Sequence, residues 1–237
     1  KILNFEKWFE YYRNIILKMD LIHFNSYITY DMYHRFFDVE NINCKVLPVL
    51  HSRIVDNRIK REYNQEKIRL GYIGSTDPYK GFVNLYNILN ELKHIENLDS
   101  FELIVFGGGG PIPDLDTFVE FRGSYSQSML NDVFDAFDVL IVPSICMETL
   151  SLVAVEALSY GVPVIMSNRV GAKLILEEYG LQQFIYGDNE SLKELLRQIS
   201  CDRSVLANYN EKIMVNDFKY VFTAHIEQLK NDIYSIK

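Results

Sequence analysis

From residue 68 onward the sequence repeats one pattern, and that pattern leaves few folds open. A short run apolar on both faces is followed by a longer segment with apolar residues at helical spacing. IRLGYIG (68–74), FELIVFG (101–107), VLIVP (139–143) and VPVIMS (162–167) are the apolar runs. A strand apolar on both faces must be covered on both, and strands joined by helical crossovers must run parallel. Between the runs, residues 81–93 put Phe82, Leu85, Ile88, Leu89 and Leu92 on one stripe, which reads as a helix. Segments 127–136, 152–160, 172–179 and 191–199 read the same way, with short strands at FVEFRG (118–123) and QQFIY (182–186). The pattern predicts an α/β protein built on a doubly wound, Rossmann-like parallel sheet.

The first 55 residues break this rhythm. Residues 5–19 carry Trp8, Tyr11, Tyr12, Ile15, Ile16 and Met19 at helical spacing. DLIHFNS (20–26) reads as a strand, 28–37 as a helix, and CKVLPVL (44–50) as a strand that Pro48 marks as an edge or an end. DNRIKREYNQEK (56–67) is charged and poor in apolar residues, so it is the expected linker. Four parts follow: a short α/β remnant over 1–55, a linker over 56–67, a main domain over 68–216, and one long amphipathic helix over 217–237. The chain opens on Lys1 with a helix almost at once, so a piece of a longer protein is expected. Nothing near the start has the form of a secretory leader.

Composition narrows the function. Against 24 Lys and Arg stand 32 Asp and Glu, a formal charge of −8 that opposes a general nucleic-acid surface. A local basic pocket for a phosphorylated ligand remains open. Cys44, Cys146 and Cys201 lie far apart with no Cys-x-x-Cys spacing, so neither a disulfide framework nor a zinc site is expected, and a reducing, cytoplasmic setting fits. No apolar run approaches the ~20 residues that span a bilayer. His23, His34, His51, His94 and His225 show no ligand spacing, and no metalloprotease, serine-hydrolase or calcium-loop motif occurs. No metal site is expected.

In doubly wound sheets ligands bind outside the carboxyl ends of the strands. Four loops leave such ends. GSTDPYKG (74–81) fails the P-loop pattern but offers Lys80 at a helix start, either as an anion contact or as a solvated lysine. FGGGGP (106–111) fails the dinucleotide fingerprint, and Pro111 and Pro113 oppose a helix after it, leaving a turn or a close backbone approach to a ligand. In RGSYSQ (122–127), Tyr125 stacks on a flat ring or Ser126 merely caps the next helix. The last is ETLSLVAVEALSYGVPVI (148–165), with a helix starting near 150–152 and ending at Tyr160. If Glu148 borders its first turn, Glu148 and Glu156 lie roughly 12 Å apart on adjoining faces, with free helix-start N–H groups between them. The pair suits a ligand with hydroxyls on both sides of a phosphate, or else makes salt bridges and serves the helix dipole.

Taken in order, the four loops resemble the C-terminal domain of family 4 retaining glycosyltransferases, which have the GT-B architecture. The match runs from about Ile68 to Asn189 and rests most on Glu148, Glu156, Ala157 and Gly161-Val162-Pro163-Val164. The resemblance implies that Glu156 accepts from the donor ribose and that Glu148 stands near the donor sugar. It implies that Thr149, Leu150, Ser151 and Leu152 meet the diphosphate with backbone amides, and that Lys80 neutralises it. Lys80 and Glu148 are thus the implied catalytic residues. Gly123, Ser124 and Tyr125 match the loop beside the nucleobase, and Gly74, Ser75, Gly107 and Gly108 complete the implied donor set. Residues 1–55 resemble the tail of the N-terminal, acceptor-binding domain, and the last helix the one that crosses back to it. Three positions depart from the family: Ser75 stands where arginine is common, Ser151 where a glycine is usual, and Leu174 where glutamate is common.

The expected activity is metal-independent transfer, with retention, of a sugar from a UDP- or GDP-sugar to a glycan or lipid-linked acceptor. The nucleotide sugar is a co-substrate, and no cofactor is expected. The expected place is the cytoplasm, with a position at the inner face of a membrane also compatible. A sugar-nucleotide epimerase of the same architecture and a non-catalytic partner that kept the fold are the alternatives.

Overall fold

The computed structural model describes residues 4–37, 39–108, 115–215 and 217–235. The first unit comprises α1 (Phe5–Ile16), β1 (Leu21–Phe24), α2 (Tyr27–Phe36) and β2 (Asn43–Val46). Ser26 starts α2 with a capping box: its Oγ accepts from the Thr29 N–H at 3.3 Å, while Thr29 Oγ1 accepts from the Ser26 N–H at 3.2 Å. β1 and β2 pair in parallel, Leu21 opposite Asn43, and β2 stops before Pro48.

The main sheet contains β3 (Ile68–Ile73), β4 (Phe101–Phe106), β5 (Val119–Gly123), β6 (Val139–Val142), β7 (Val164–Ser167) and β8 (Ile185–Tyr186). Its order is β5-β4-β3-β6-β7-β8, and every neighbouring pair is parallel. The chain therefore starts in the middle, builds outward through β4 and β5, then returns beside β3 and builds the other way. The crossovers diverge between β3 and β6, which opens a crevice at the carboxyl ends of those strands. Helices α3 (Phe82–His94), α4 (Leu130–Asp135), α5 (Leu152–Ser159) and α6 (Lys173–Glu178) join strands, and α7 (Asn189–Cys201) follows the last one. Ile68, Leu70, Leu103, Val139, Leu140, Val164 and Ile165 are buried, as strands covered on both faces require. At the opposite end of the sheet, buried Asp138 accepts from the Arg69 N–H at 2.9 Å and from its guanidinium at 2.6 Å, tying β3 to β6.

Residues 56–67 carry no helix or strand, yet they lie against the main sheet's helices. The Asn57 N–H donates to Ser159 O at 2.8 Å, and Asn210 both accepts from the Arg61 N–H and donates to Ile59 O at 3.1 Å. Three differences from the sequence reading concern helices. Residues 127–129 form a 3-10 turn, so α4 begins only at Leu130. α8 (Ser204–Val215), with Leu206, Tyr209 and Ile213 buried, is a helix that the reading omits. The closing segment is not one helix over 217–237: α9 spans Phe222–Tyr234, and Phe218 and Tyr220 are buried in the non-helical chain before it. Residues 236 and 237 lie outside the described residues.

α9 is fastened to the first unit. Asp232, 3 % exposed, accepts from His23 Nε2 at 2.8 Å, from Gln228 at 2.9 Å and from Lys45 Nζ. Burial works to raise its pKa, but the bonds from Lys45, His23 and Gln228 outweigh it and hold the carboxyl below its ordinary value. An ionised carboxylate has no proton to give, so His23 Nε2 carries the hydrogen here.

Candidate functional site

The loop after β3 brings a cation into the crevice. A 3-10 turn over Pro78–Lys80 ends in Gly81, whose φ of 80° lies in the left-handed region. A Cβ at Gly81 would stand 1.8 Å from the Pro143 carbonyl oxygen, so only glycine lets this loop abut the end of β6. Lys80 Nζ donates to Glu148 Oε1 at 2.7 Å, and Ser144 Oγ donates to the same oxygen. Burial disfavours the Lys80 ammonium, but the Glu148 carboxylate outweighs it and raises the lysine above its ordinary pKa.

Glu148 does not border the helix as its spacing suggested. α5 starts four residues later, at Leu152, so the roughly 12 Å expected from continuous helical rise does not apply between the two glutamates. Instead Glu148 is held as in a strand. Its N–H donates to Arg169 O at 2.9 Å, and its carbonyl accepts from the Gly171 N–H at 2.9 Å. Ser151, just before α5, takes φ 76° and ψ 88°, a conformation that costs a side-chain-bearing residue about 1–3 kcal/mol. That strain answers the absence of glycine at this position. The Ser151 side chain makes no capping bond, and among the described residues the amides of Thr149, Leu150 and Ser151 donate to no acceptor. With the first N–H groups of α5, they form a cluster of open donors.

These residues share a cleft of about 480 Å³, lined by Gly74, Lys80, Ser144, Glu148 and residues 149–153. Asn25 and Val49 of the first unit line it too. Gly107 and Gly108 instead line a neighbouring hollow of about 580 Å³, with Thr76, Phe121 and Gly123. Gly107, at φ 121°, packs so closely on Gly74 that a Cβ would lie 2.4 Å from the Gly74 carbonyl oxygen, which joins the walls of the two hollows. Residues 109–114, including Pro111 and Pro113, lie outside the described residues.

Ser75, Ser124, Tyr125 and Glu156 line neither hollow. Ser75 Oγ donates to Asp77 Oδ2 at 2.6 Å, which turns the loop's hydroxyl toward its own carboxylate. Tyr125 meets Phe106 edge-on, with ring centroids 5.9 Å apart, and burial raises its pKa. Ser126 precedes the 3-10 turn but makes no side-chain cap; its hydroxyl pairs with Ser128 at 2.8 Å.

Glu156 is 3 % exposed and covered by a turn from the segment that leaves the first unit. His51 Nε2 and Arg53 Nη2 each stand 3.2 Å from its Oε1, at ion-pair distance. Arg53 Nε donates to His51 Nε2 at 3.3 Å, and no donor is aligned on Glu156 Oε1, which stays a buried acceptor without a hydrogen bond. Burial raises the Glu156 pKa, and Arg53 and His51 pull it back part of the way. Glu156 thus has the salt bridge that the plainer reading of the spacing gave it, while Glu148 is paired with Lys80 in the cleft instead of serving the first turn of α5. Sequence reasoning missed Ser144, His51 and Arg53. Ser144 was detectable as the first polar residue after VLIVP; nothing local marked the other two.

The family model "Glycosyl transferases group 1" matches residues 67–202. Sulfoquinovosyl transferase SQD2 of Arabidopsis thaliana is 28 % identical over 165 residues, covering 65 % of this chain and 32 % of its own length. An uncharacterized 41.2 kDa protein in the cps region of Klebsiella pneumoniae is 24 % identical, covering 94 % of this chain and 68 % of itself. Among solved structures, sucrose-phosphate synthase from Thermosynechococcus elongatus superposes with a TM-score of 0.71 at 18 % identity, over 98 % of this chain and 63 % of that one. Anabaena Alr3699/HepE in complex with UDP-glucose superposes with a TM-score of 0.73 at 15 % identity, over 97 % and 68 %. This chain spans about a third of the Arabidopsis relative and about two thirds of the others.

Proposed function

The chain belongs to the group 1 glycosyl transferases, and from that premise we propose that it is the donor-binding part of a retaining, metal-independent enzyme. Its donor is a nucleoside diphosphate sugar, and its acceptor a glycan or a lipid-linked glycan. The observation that carries this reading is the Lys80–Glu148 pair beside the open amides of Thr149, Leu150 and Ser151 at the switch point of the sheet. In this reading the amides and Lys80 take the diphosphate and Glu148 takes a sugar hydroxyl, while Glu156 takes the ribose once the turn carrying His51 and Arg53 moves off its carboxylate. The hollow at Gly107 and Gly108, with Ser124 and Tyr125 beside it, takes the base.

Transfer breaks the bond between the anomeric carbon and the diphosphate, and negative charge grows on the departing oxygen. Lys80 and the fixed amides stabilise that charge without reorganising at the moment of reaction. Losing one such donor raises a barrier by about 3–4 kcal/mol, so Lys80→Ala is expected to slow the whole enzyme about a hundredfold or more. Residues 1–55 form the tail of the acceptor-binding domain, and α9 returns to it. A cytoplasmic place, at or near the inner face of a membrane, suits a lipid-linked acceptor. Among the described residues no helix is long and apolar enough to cross a membrane.

Calorimetric titration of this chain with UDP, GDP, UDP-glucose and GDP-mannose tests the reading. UDP-glucose is the first probe because the Anabaena structure contains it. Binding of at least one of the four, weakened by Lys80→Ala, is expected; binding of none refutes a donor site. A non-catalytic partner that kept the fold is the second reading, favoured by the acidic Asp77 paired with Ser75 at the mouth of the loop. It predicts no binding.

A further inference from the structure

A closed circuit of hydrogen bonds fixes one oxygen of Glu148. Lys80 Nζ reaches Oε1 at 2.7 Å, and Ser144 Oγ donates to the same atom. Ser144 is 2 % exposed and directly follows β6 and Pro143. Its carbonyl accepts from Ser167 Oγ, at the end of β7, at 2.7 Å in the interior. Ser167 Oγ in turn accepts from the Arg169 N–H at 3.4 Å, and Arg169 O accepts from the Glu148 N–H at 2.9 Å. The circuit thus leaves the Glu148 side chain, passes through two adjacent strand ends, and returns to the Glu148 backbone. Among the described residues, Glu148 Oε2 accepts from no protein donor, and Glu148 lines the cleft.

The two donors on Oε1 differ in what a phosphorylated ligand does to them. An ammonium is drawn to a diphosphate, which carries more charge than a single carboxylate, so ligand entry loosens Lys80 from Glu148. A neutral hydroxyl is not drawn away, and a hydroxyl on a carboxylate is a short, charge-assisted bond. Ser144 is also braced by Ser167 and is nearly out of water. We propose that Ser144 is a positioning residue: it holds Glu148 Oε1 in place once Lys80 turns to the diphosphate, leaving Oε2 as the acceptor for a hydroxyl of the donor sugar. This rests on the donor-binding reading of the cleft given above.

The test is the ratio of two affinities in one protein, which partial unfolding does not change. UDP and UDP-glucose, and in parallel GDP and GDP-mannose, are titrated into the wild-type chain, Ser144→Ala and Ser144→Thr. Nucleoside diphosphate binding is expected to stay within about twofold in all three. The sugar nucleotide that the wild type prefers over its diphosphate is expected to weaken about tenfold in Ser144→Ala, the scale of one lost bond to a charged group. Ser144→Thr, which keeps the hydroxyl, restores it. A Ser144→Ala protein whose ratio is unchanged overturns the inference while nucleotide binding stands. So does a wild type that binds UDP or GDP but does not prefer its sugar form. A wild type that binds none of the four overturns the donor reading and the inference together.

Discussion

Replacing Arg53 by alanine removes a charged partner from a carboxylate that is 3 % exposed. Breaking a buried ion pair by deleting one partner typically destabilises by 3–5 kcal/mol, because the remaining charge is left without compensation, but two facts reduce that here to about 1–2 kcal/mol. The Arg53 side chain is 40 % exposed, so solvent already screens it, and His51 stays 3.2 Å from the same oxygen. The sign with pH follows from linkage. Burial raises the Glu156 pKa in the folded protein above its ordinary value of 4.5, so the folded state binds more protons than the unfolded state between the two values. Stability contributed by this group is therefore full below about 4.5 and falls as pH rises through the raised value. Without Arg53 the pKa rises further, and the loss widens to higher pH. Urea unfolding of the wild type, Arg53→Ala, Glu156→Gln and the double variant at pH 5 and pH 7.5 measures this. The loss from Arg53→Ala should be largest at pH 7.5, shrink at pH 5, and fall to a few tenths of a kcal/mol in the Glu156→Gln background. An equal loss in that background, or one that grows on acidification, refutes the argument.

Three further outcomes follow from contacts already described. Gly81→Ala must force a Cβ into the Pro143 carbonyl at positive φ, so it should lower stability by more than about 2 kcal/mol and abolish nucleotide binding in calorimetry. Asp138→Ala leaves the Arg69 amide and guanidinium without their buried acceptor; a loss of about 3 kcal/mol in urea unfolding is expected, with binding of nucleotide unchanged below the transition. For Asp232 the folded pKa is lowered, so its contribution is present above the ordinary 3.8 and is lost as pH falls through the depressed value. Asp232→Asn should therefore speed amide exchange in α9 at neutral pH, with the difference from wild type closing as pH falls below about 3.8.

How far the sequence reaches is visible element by element. The stripe Phe82–Leu85–Ile88–Leu89–Leu92 became the buried face of α3, because helical period alone selects the face that must be covered. The apolar runs became the parallel strands for the same local reason. Periodicity alone extends a helix over residues 217–221, because the amphipathic pattern after them is strong. In the fold Phe218 and Tyr220 are buried outside any helix, and the Phe222 N–H at the start of α9 bonds to Ile54 O at 3.1 Å. The two glutamates stood out as acids in an apolar stretch, but their partners did not. Lys80 is 68 positions from Glu148, and His51 and Arg53 belong to a segment that composition assigned to another part of the chain. The alternation, the doubly wound sheet and the loops at its carboxyl ends are legible from the residues, since these depend on periodicity within a few turns of chain. Which oxygen each cation meets, how far Glu156 is buried, and the glycine-like φ of Ser151 emerge only in the folded molecule. Those are consequences of chain closure: groups distant in sequence meet only after the sheet has set where its strand ends lie.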